Sequence, residues 1–200
     1  MYMTVLKMTR ESILSAPMLL DINSSNSVHK WLTEQQNTSR AEGQILYKII
    51  NANDEVYMYI QSKDPFNKFG LDNYGFKFIK EMEITLSTPG VYSFDIQTFP
   101  CRTVNNNKRY FIKNIRERYD WLQGQFKKYN IELLECTEYK QSNIVFDKDK
   151  IKDIPTSTFR GKIKISDVDS ANKLLEHGLG RFRNYGLGLL LIKWGIYYET

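Results

Sequence analysis

The chain has 200 residues, 42% hydrophobic and 26% charged, with a net charge of +5 and a pI near 9.0. That balance supports an ordinary folded core in one domain or two small ones, and it permits nucleic acid as a partner without requiring it. The longest apolar run, Leu187 to Ile192, is far short of the ~20 residues a membrane span needs. The N-terminus lacks a basic region followed by an apolar run, so no signal peptide is expected and the protein is read as cytoplasmic.

In chain order, Tyr2 to Thr9 reads as a first strand. Serine and asparagine crowd positions 23 to 27, which is helix N-cap chemistry. A helix is predicted from about Asn26 to Gln36, with Val28, Trp31 and Leu32 as its apolar face. His29 lies in the first turn on another face, so it need not join the core. Ile45 to Ile50 and Val56 to Ile60 read as strands joined at Asn51-Ala-Asn-Asp54, a hairpin. Pro65 to Tyr74 is irregular, and Gly75 to Leu86 could supply another strand.

Thr88-Pro-Gly90 is the best boundary, dividing an N-terminal domain, 1–88, from a C-terminal domain, 89–200. The second run opens with strand Tyr92 to Gln97 and a basic hairpin around Asn105–Asn107. A helix from about Lys113 to Tyr129 would bury Ile115, Tyr119, Leu122 and Phe126. Strand Ile131 to Tyr139 and a polar stretch to Thr156 follow. In strand Thr158 to Ile165, Phe159, Gly161, Ile163 and Ile165 alternate with charged residues. Asp167 then caps a helix to His177, and Leu189 to Trp194 is a last strand. Each half reads roughly β-α-β-β-α-β, an α+β fold of two tandem ferredoxin-like domains. The second helix of the first half has the least support.

Between the last helix and the last strand lies Gly178-Leu-Gly-Arg-Phe-Arg-Asn-Tyr-Gly-Leu-Gly188. Glycine permits φ > 0 and close approach of another molecule, arginine suits phosphate, and tyrosine offers a stacking face. The segment is therefore either a grip for a polyanion or a helix stop followed by a tight turn into the strand. A dinucleotide fingerprint is rejected, because the order there is strand, glycines, helix. Basic charge concentrates elsewhere too: Cys101 to Asn130 holds eight Lys/Arg against two acids, more than the charge of the whole chain. Lys108, Arg109, Lys113 and Arg116 gather at the hairpin and the helix start, where cations oppose the helix dipole, so an external anion such as RNA phosphate would compensate them.

The two histidines narrow any catalytic role. His177 ends a helix and suits the local carbonyls and dipole. His29 is either structural or catalytic. Cys101 and Cys136 lack metal-ligand spacing and read as free thiols. No clustered ligand set, Gly-x4-Gly-Lys-Ser/Thr or Gly-x-Ser-x-Gly occurs, so neither metal nor cofactor is expected.

These residues resemble the CasE family, the CRISPR repeat-RNA endoribonucleases of the type I-E Cascade complex. The likeness runs from the Met-Tyr start through the histidine of the first helix and the Asn/Lys-rich hairpin. It continues through Arg-x-Arg-Tyr-Asp-Trp-Leu (116–122), Phe-Arg-Gly-Lys-Ile (159–163) and Gly-x-Gly-x5-Gly-x-Gly (178–188). The resemblance implies binding of a CRISPR repeat stem-loop and a metal-free cut at the 3′ base of the stem. It also implies retention of the mature guide RNA and assembly with other Cascade subunits. By position, His29 matches the catalytic histidine. Lys30, Lys108, Arg109, Lys113, Arg116, Gly178, Gly180, Arg181, Arg183, Asn184, Gly186 and Gly188 fall in regions that contact RNA. The family often has a tyrosine three residues before the histidine, where this chain has Asn26, which cannot donate a proton as a phenol can. The expected chemistry is 2′-hydroxyl attack giving a 2′,3′-cyclic phosphate and a 5′-hydroxyl, with His29 as general acid or base. The competing readings are a stem-loop clamp that cuts weakly or not at all, and a basic protein-binding module whose glycine loop is purely structural.

Overall fold

The structure, a computed structural model, describes residues 1–9, 12, 21, 23–37, 45–104, 108–147 and 151–194, with the side chains of 146, 147, 151, 152 and 194 excepted. It divides into two compact units. One comprises Met1–Thr85, Ile144–Asp153 and Arg183–Gly186; the other comprises Leu86–Asn143, Ile154–Phe182 and Leu187–Thr200.

The first unit contains β1 (Tyr2–Thr9), α1 (Ser25–Gln35), β2 (Leu46–Ala52), β3 (Glu55–Ser62) and β4 (Lys77–Glu83). The sheet order is β2-β3-β1-β4. Pairing is antiparallel throughout, with Leu6 opposite both Met58 and Phe78 and Ile49 opposite Met58. A strand order in which the first and third strands lie at the centre is the ferredoxin-like arrangement. Helix α1 starts where Ser24 accepts a 3.3 Å bond from the Ser27 amide, satisfying one of the free N–H groups of the first turn. Val28, Trp31 and Leu32 are buried on it as their spacing predicts. Trp31 stacks on Phe76, with ring centroids 5.1 Å apart, and tilts against Phe66 and Tyr74.

In place of a second α-helix between β3 and β4 there is a single 3-10 turn, Leu71–Tyr74. Pro65 precedes it, and Gly70 and Gly75, both at φ 73°, bracket it. Left-handed residues on each side leave room for one turn only. The segment still supplies the core that a helix would have covered, through buried Phe66, Leu71 and Phe76. Gln35 and Gln36 tie it to α1 by bonds with Asn67 and Phe69.

The second unit contains β5 (Gly90–Thr98), a basic hairpin of β6 (Cys101–Val104) and β7 (Lys108–Phe111), α2 (Ile115–Lys127), α3 (Val168–His177) and β10 (Leu190–Trp194). It also holds most of the long pair β8 (Ile131–Asp147) and β9 (Ile151–Ile165). The main sheet runs β10-β5-β9-β8, the same order of four strands. Ile96 of β5 faces Leu190 on one side and Phe159 on the other. The hairpin forms its own two-stranded sheet, and its apex, 105–107, lies outside the described residues.

Three expectations change here. The polar stretch after Tyr139 is strand, continuing β8 to Asp147 and β9 from Ile151. Hydroxyl and amide bonds among Ser142, Thr156 and Gln97 help join the strands there, and polar and charged residues interrupt the apolar ones, so alternation is weak. On α2, Ile115 is 45% exposed, while Arg118 is buried with Leu122 and Phe126. Tyr119 is only half-buried, 6.0 Å from Phe159 between ring centroids.

Asp167 caps α3 as expected, accepting from the Ser170 amide at 3.0 Å and the Ser170 hydroxyl at 2.7 Å. The Asn130 amide adds a third bond at 3.0 Å. The Ser170 amide first, then its hydroxyl and Asn130, lower the Asp167 carboxyl from 3.8 to about 2. A depressed carboxyl stabilises the fold fully above its unfolded value and loses that contribution as pH falls through the folded one. Asp167→Asn keeps a capping oxygen but does not titrate. Its deficit relative to wild type, read by urea unfolding, is expected to be complete above about pH 4 and gone near pH 2. A deficit independent of pH would show that the charge plays no part.

Candidate functional site

The first unit gathers a histidine, two tyrosines and a turn of the glycine-rich segment. Ser25 and His29 are one turn apart and share a face of α1. Both are buried, His29 to 5% exposure. The sequence placed His29 off the core face. The structure covers that face with the 3-10 turn Arg183–Tyr185, which packs on α1 and β2. The Tyr185 ring meets the His29 imidazole at 5.3 Å between centroids and 65° between planes.

Tyr47, fully buried on β2, donates a 3.0 Å bond from its hydroxyl to the Ser25 carbonyl. Burial first, and nearby Tyr185 in addition, push its phenol up, against the lowering effect of the Ser25 bond. Tyr47 is therefore a structural donor. Its ring also explains Gly186: a Cβ there would lie 2.9 Å from Tyr47 Cε2, and φ is +88°. Only glycine meets both conditions without displacement or strain.

The rest of the loop is fastened within the second unit. The Gly178 amide bonds the Leu174 carbonyl at 2.8 Å, ending α3. The Leu179 amide bonds the Gly188 carbonyl at 2.9 Å, and the Gly188 amide bonds the Gln97 carbonyl at 2.8 Å. Leu179 and Leu187 are buried anchors. At Gly180, with φ +84°, a Cβ would lie 2.9 Å from Thr98 Oγ1. Phe182 holds a left-handed φ of 57° although it is not glycine, and it packs edge-on against Phe99. The four glycines at 178, 180, 186 and 188 all have positive φ, so the spacing serves the path of the backbone. Between those anchors Arg181 is exposed, and Arg183 and Asn184 are half-buried.

The basic cluster of the second unit is at the surface. Lys108, Arg109 and Tyr110 of β7 are exposed, as are Lys113 and Arg116 at the start of α2. Asn114 caps α2, accepting from the Arg116 amide at 2.8 Å. Arg118 does not belong to that surface. Its guanidinium bonds Glu138 Oε2 at 2.6 and 3.2 Å and the carbonyls of Ile112 and Lys113. Both side chains of this ion pair are 3% exposed. In the first unit Lys30 is exposed and lies 3.7 Å from Glu34.

Of the residues expected to act on RNA, His29 and the turn from Arg183 to Gly186 come together in one unit. Lys108, Arg109, Lys113 and Arg116 stand in the other. The sequence reading left Tyr185 and Tyr47 out of the site. Tyr185 stood inside the glycine segment, but nothing local linked it to a helix more than 150 positions away. Cys101 and Cys136 are free thiols, and burial pushes Cys136 up to about 11. Among the described residues no group of three or more His, Cys, Asp or Glu could hold a metal ion, and no helix is long and apolar enough to cross a membrane.

Residues 1–193 match the family described as CRISPR associated protein. The chain belongs to that CRISPR-associated family. No curated protein matches its sequence. Among solved structures it is similar to one described as CRISPR endoribonuclease Cse3 bound to 19 nt RNA, at 17% identity and TM-score 0.85, covering 96% of this chain and 100% of that one. It is also similar to the CRISPR-associated protein Cas6e from Escherichia coli K-12, at 17% identity and TM-score 0.70, covering 96% and 98%. A third likeness is to a chain of a CRISPR RNA-guided surveillance complex, at 19% identity and TM-score 0.67, covering 96% and 98%. At these identities the likenesses establish the fold, two ferredoxin-like units in tandem.

Proposed function

We propose that this CRISPR-associated protein binds the stem-loop of a CRISPR repeat RNA, cuts it without a metal ion, and stays with the guide RNA as a Cascade subunit. One observation carries this reading: the single histidine of the first helix is packed against the turn of the glycine-rich loop that presents Arg183 and Asn184. Membership of the family supports the RNA, and the relatives named as an RNA-bound endoribonuclease and as part of a surveillance complex support cleavage and assembly.

RNA brings its own nucleophile. The 2′-hydroxyl loses its proton and attacks the adjacent phosphorus, the bond to the 5′-oxygen breaks, and that oxygen gains a proton. The products are a 2′,3′-cyclic phosphate and a 5′-hydroxyl. His29 moves one of the two protons, the role an imidazole can fill because it both takes and gives a proton. Arg181, Arg183, Lys108, Arg109, Lys113, Arg116 and Lys30 hold phosphates, and cations fixed beside the reacting one steady its charge.

Cleavage of a repeat hairpin is therefore expected to proceed at full rate in EDTA and to leave cyclic phosphate ends; dependence on magnesium would contradict it. Arg183→Ala is expected to weaken hairpin binding and to reduce the slope of log affinity against log salt by about 0.7–0.9, the value of one phosphate contact. An unchanged slope would remove Arg183 from the phosphate-binding set.

A further inference from the structure

The turn at 183–186 is held more firmly than a loop that merely connects a helix to a strand requires. Phe182 accepts a left-handed backbone just before it. Gly186 at its end lies so close to the Tyr47 ring that no side chain fits. Tyr47 is in turn bonded to the Ser25 carbonyl, one helical turn before His29. A residue kept in a sparsely populated conformation persists only where its surroundings over-determine it, and such positions cluster at functional sites. What this arrangement fixes is the ring of Tyr185 against the imidazole of His29.

We infer that Tyr185 is a positioning residue for His29: its ring sets the orientation of the imidazole and so ties the proton-transfer group to the seating of the glycine-rich loop. The inference rests on the cleavage reading above and adds to it the part of the loop that serves the chemistry rather than the grip. A histidine moves a proton only when one ring nitrogen points at the reacting oxygen. His29 is attached to α1 through two rotatable bonds, and an aromatic wall at 5.3 Å limits rotation about them. Because Arg183 and Tyr185 share one 3-10 turn, a phosphate that draws on Arg183 also acts on the wall. The contact with His29 is made by the ring, which phenylalanine keeps.

The test compares Tyr185→Phe, Tyr185→Leu and Tyr185→Ala in two measurements. The first is single-turnover cleavage of a repeat hairpin, with rate at saturating protein and affinity determined separately. Tyr185→Phe is expected to cut within about threefold of wild type. Tyr185→Ala and Tyr185→Leu are expected to lose at least ~10-fold in rate with affinity nearly unchanged, since misplacement by an ångström costs up to ~10²-fold. The second uses no RNA. Diethylpyrocarbonate modification of buried His29 is read by peptide mass spectrometry against exposed His177, the other histidine of the chain. The ratio of the two rates is expected to rise several-fold in the alanine variant and to stay at the wild-type value in the phenylalanine variant.

Wild-type cleavage and wild-type protection in Tyr185→Ala would overturn the inference. So would a phenylalanine variant as slow as the alanine one, which would assign the work to the hydroxyl. If wild-type protein leaves the hairpin uncut, the cleavage reading fails by itself. The modification ratio then still decides whether Tyr185 holds His29.

Discussion

Replacing His29 by alanine is expected to slow cleavage of a repeat hairpin at least ~10²-fold while leaving hairpin affinity nearly intact. The two effects separate because they rest on different residues. At 5% exposure His29 offers RNA little contact area. In the proposed function the long-range attraction falls to the cations Lys108, Arg109, Lys113, Arg116 and Arg181, all of them exposed. The rate depends on a group that can take or give a proton near neutral pH, and alanine cannot. Alanine also leaves a gap beside Tyr185, so His29→Asn is the better control, retaining bulk without an imidazole. Both variants should be equally slow, measured in single turnover with protein in excess. Wild-type cleavage by either would remove His29 from the reaction. A large loss of affinity would instead make it part of the binding surface.

Replacing Arg118 by methionine is expected to destabilise the protein by about 3–5 kcal/mol, which is the cost of leaving one member of a buried ion pair without its partner. The guanidinium satisfies one carboxylate oxygen of Glu138 and two backbone carbonyls at the start of α2. Without it a carboxylate at 3% exposure loses the cation that compensates its burial. Total stability of a domain this size is about 5–15 kcal/mol, so the loss is a large share of it. Urea unfolding measures it directly. Replacing Arg118 and Glu138 together by methionine and leucine should recover much of the loss, because a well-packed apolar pair is often no worse than the ion pair. A single variant within 1 kcal/mol of wild type would mean that the pair is wetter than its burial indicates. RNA affinity of the single variant should change little, because Arg118 faces inward.

That arginine also shows where sequence reading reaches its limit. Arg118 sits in a stretch where cations outnumber acids, and charge alone cannot distinguish an inward guanidinium from an outward one. Its partner Glu138 is 20 positions away and lies across the unit on β8. Ile115 shows the same limit from the other side: helical spacing put it on the buried face, yet it stands at the first helical position and is exposed. Where one local rule decides an element, sequence and structure agree. Asp167 three residues before Ser170, the alternation from Phe159 to Ile165, and Val28, Trp31 and Leu32 at helical spacing each fold as written. The 3-10 turn at Leu71–Tyr74 was not readable because its length is set by two left-handed glycines. The far halves of β8 and β9 were silent because Lys140, Gln141, Ser142 and Asn143 on one strand and Lys152 and Asp153 on the other interrupt their apolar residues.

The site divides in the same way. The four glycines advertised a special backbone path, and they all take it. The pairing of His29 with Tyr185 was invisible, since it is made by the fold and by no feature near either residue. What the sequence offered toward function was a resemblance together with residue types suited to phosphate. The structure adds the contact that ties the loop to the histidine.

The most direct measurement is a denaturing gel of a repeat hairpin labelled at its 5′ end, incubated with excess protein at low ionic strength in EDTA. One new band is expected, ending at the 3′ base of the stem. RNA that remains full-length after hours with the protein would contradict cleavage; a native gel of the same mixture then separates a clamp, which shifts the hairpin, from a protein with another partner, which does not.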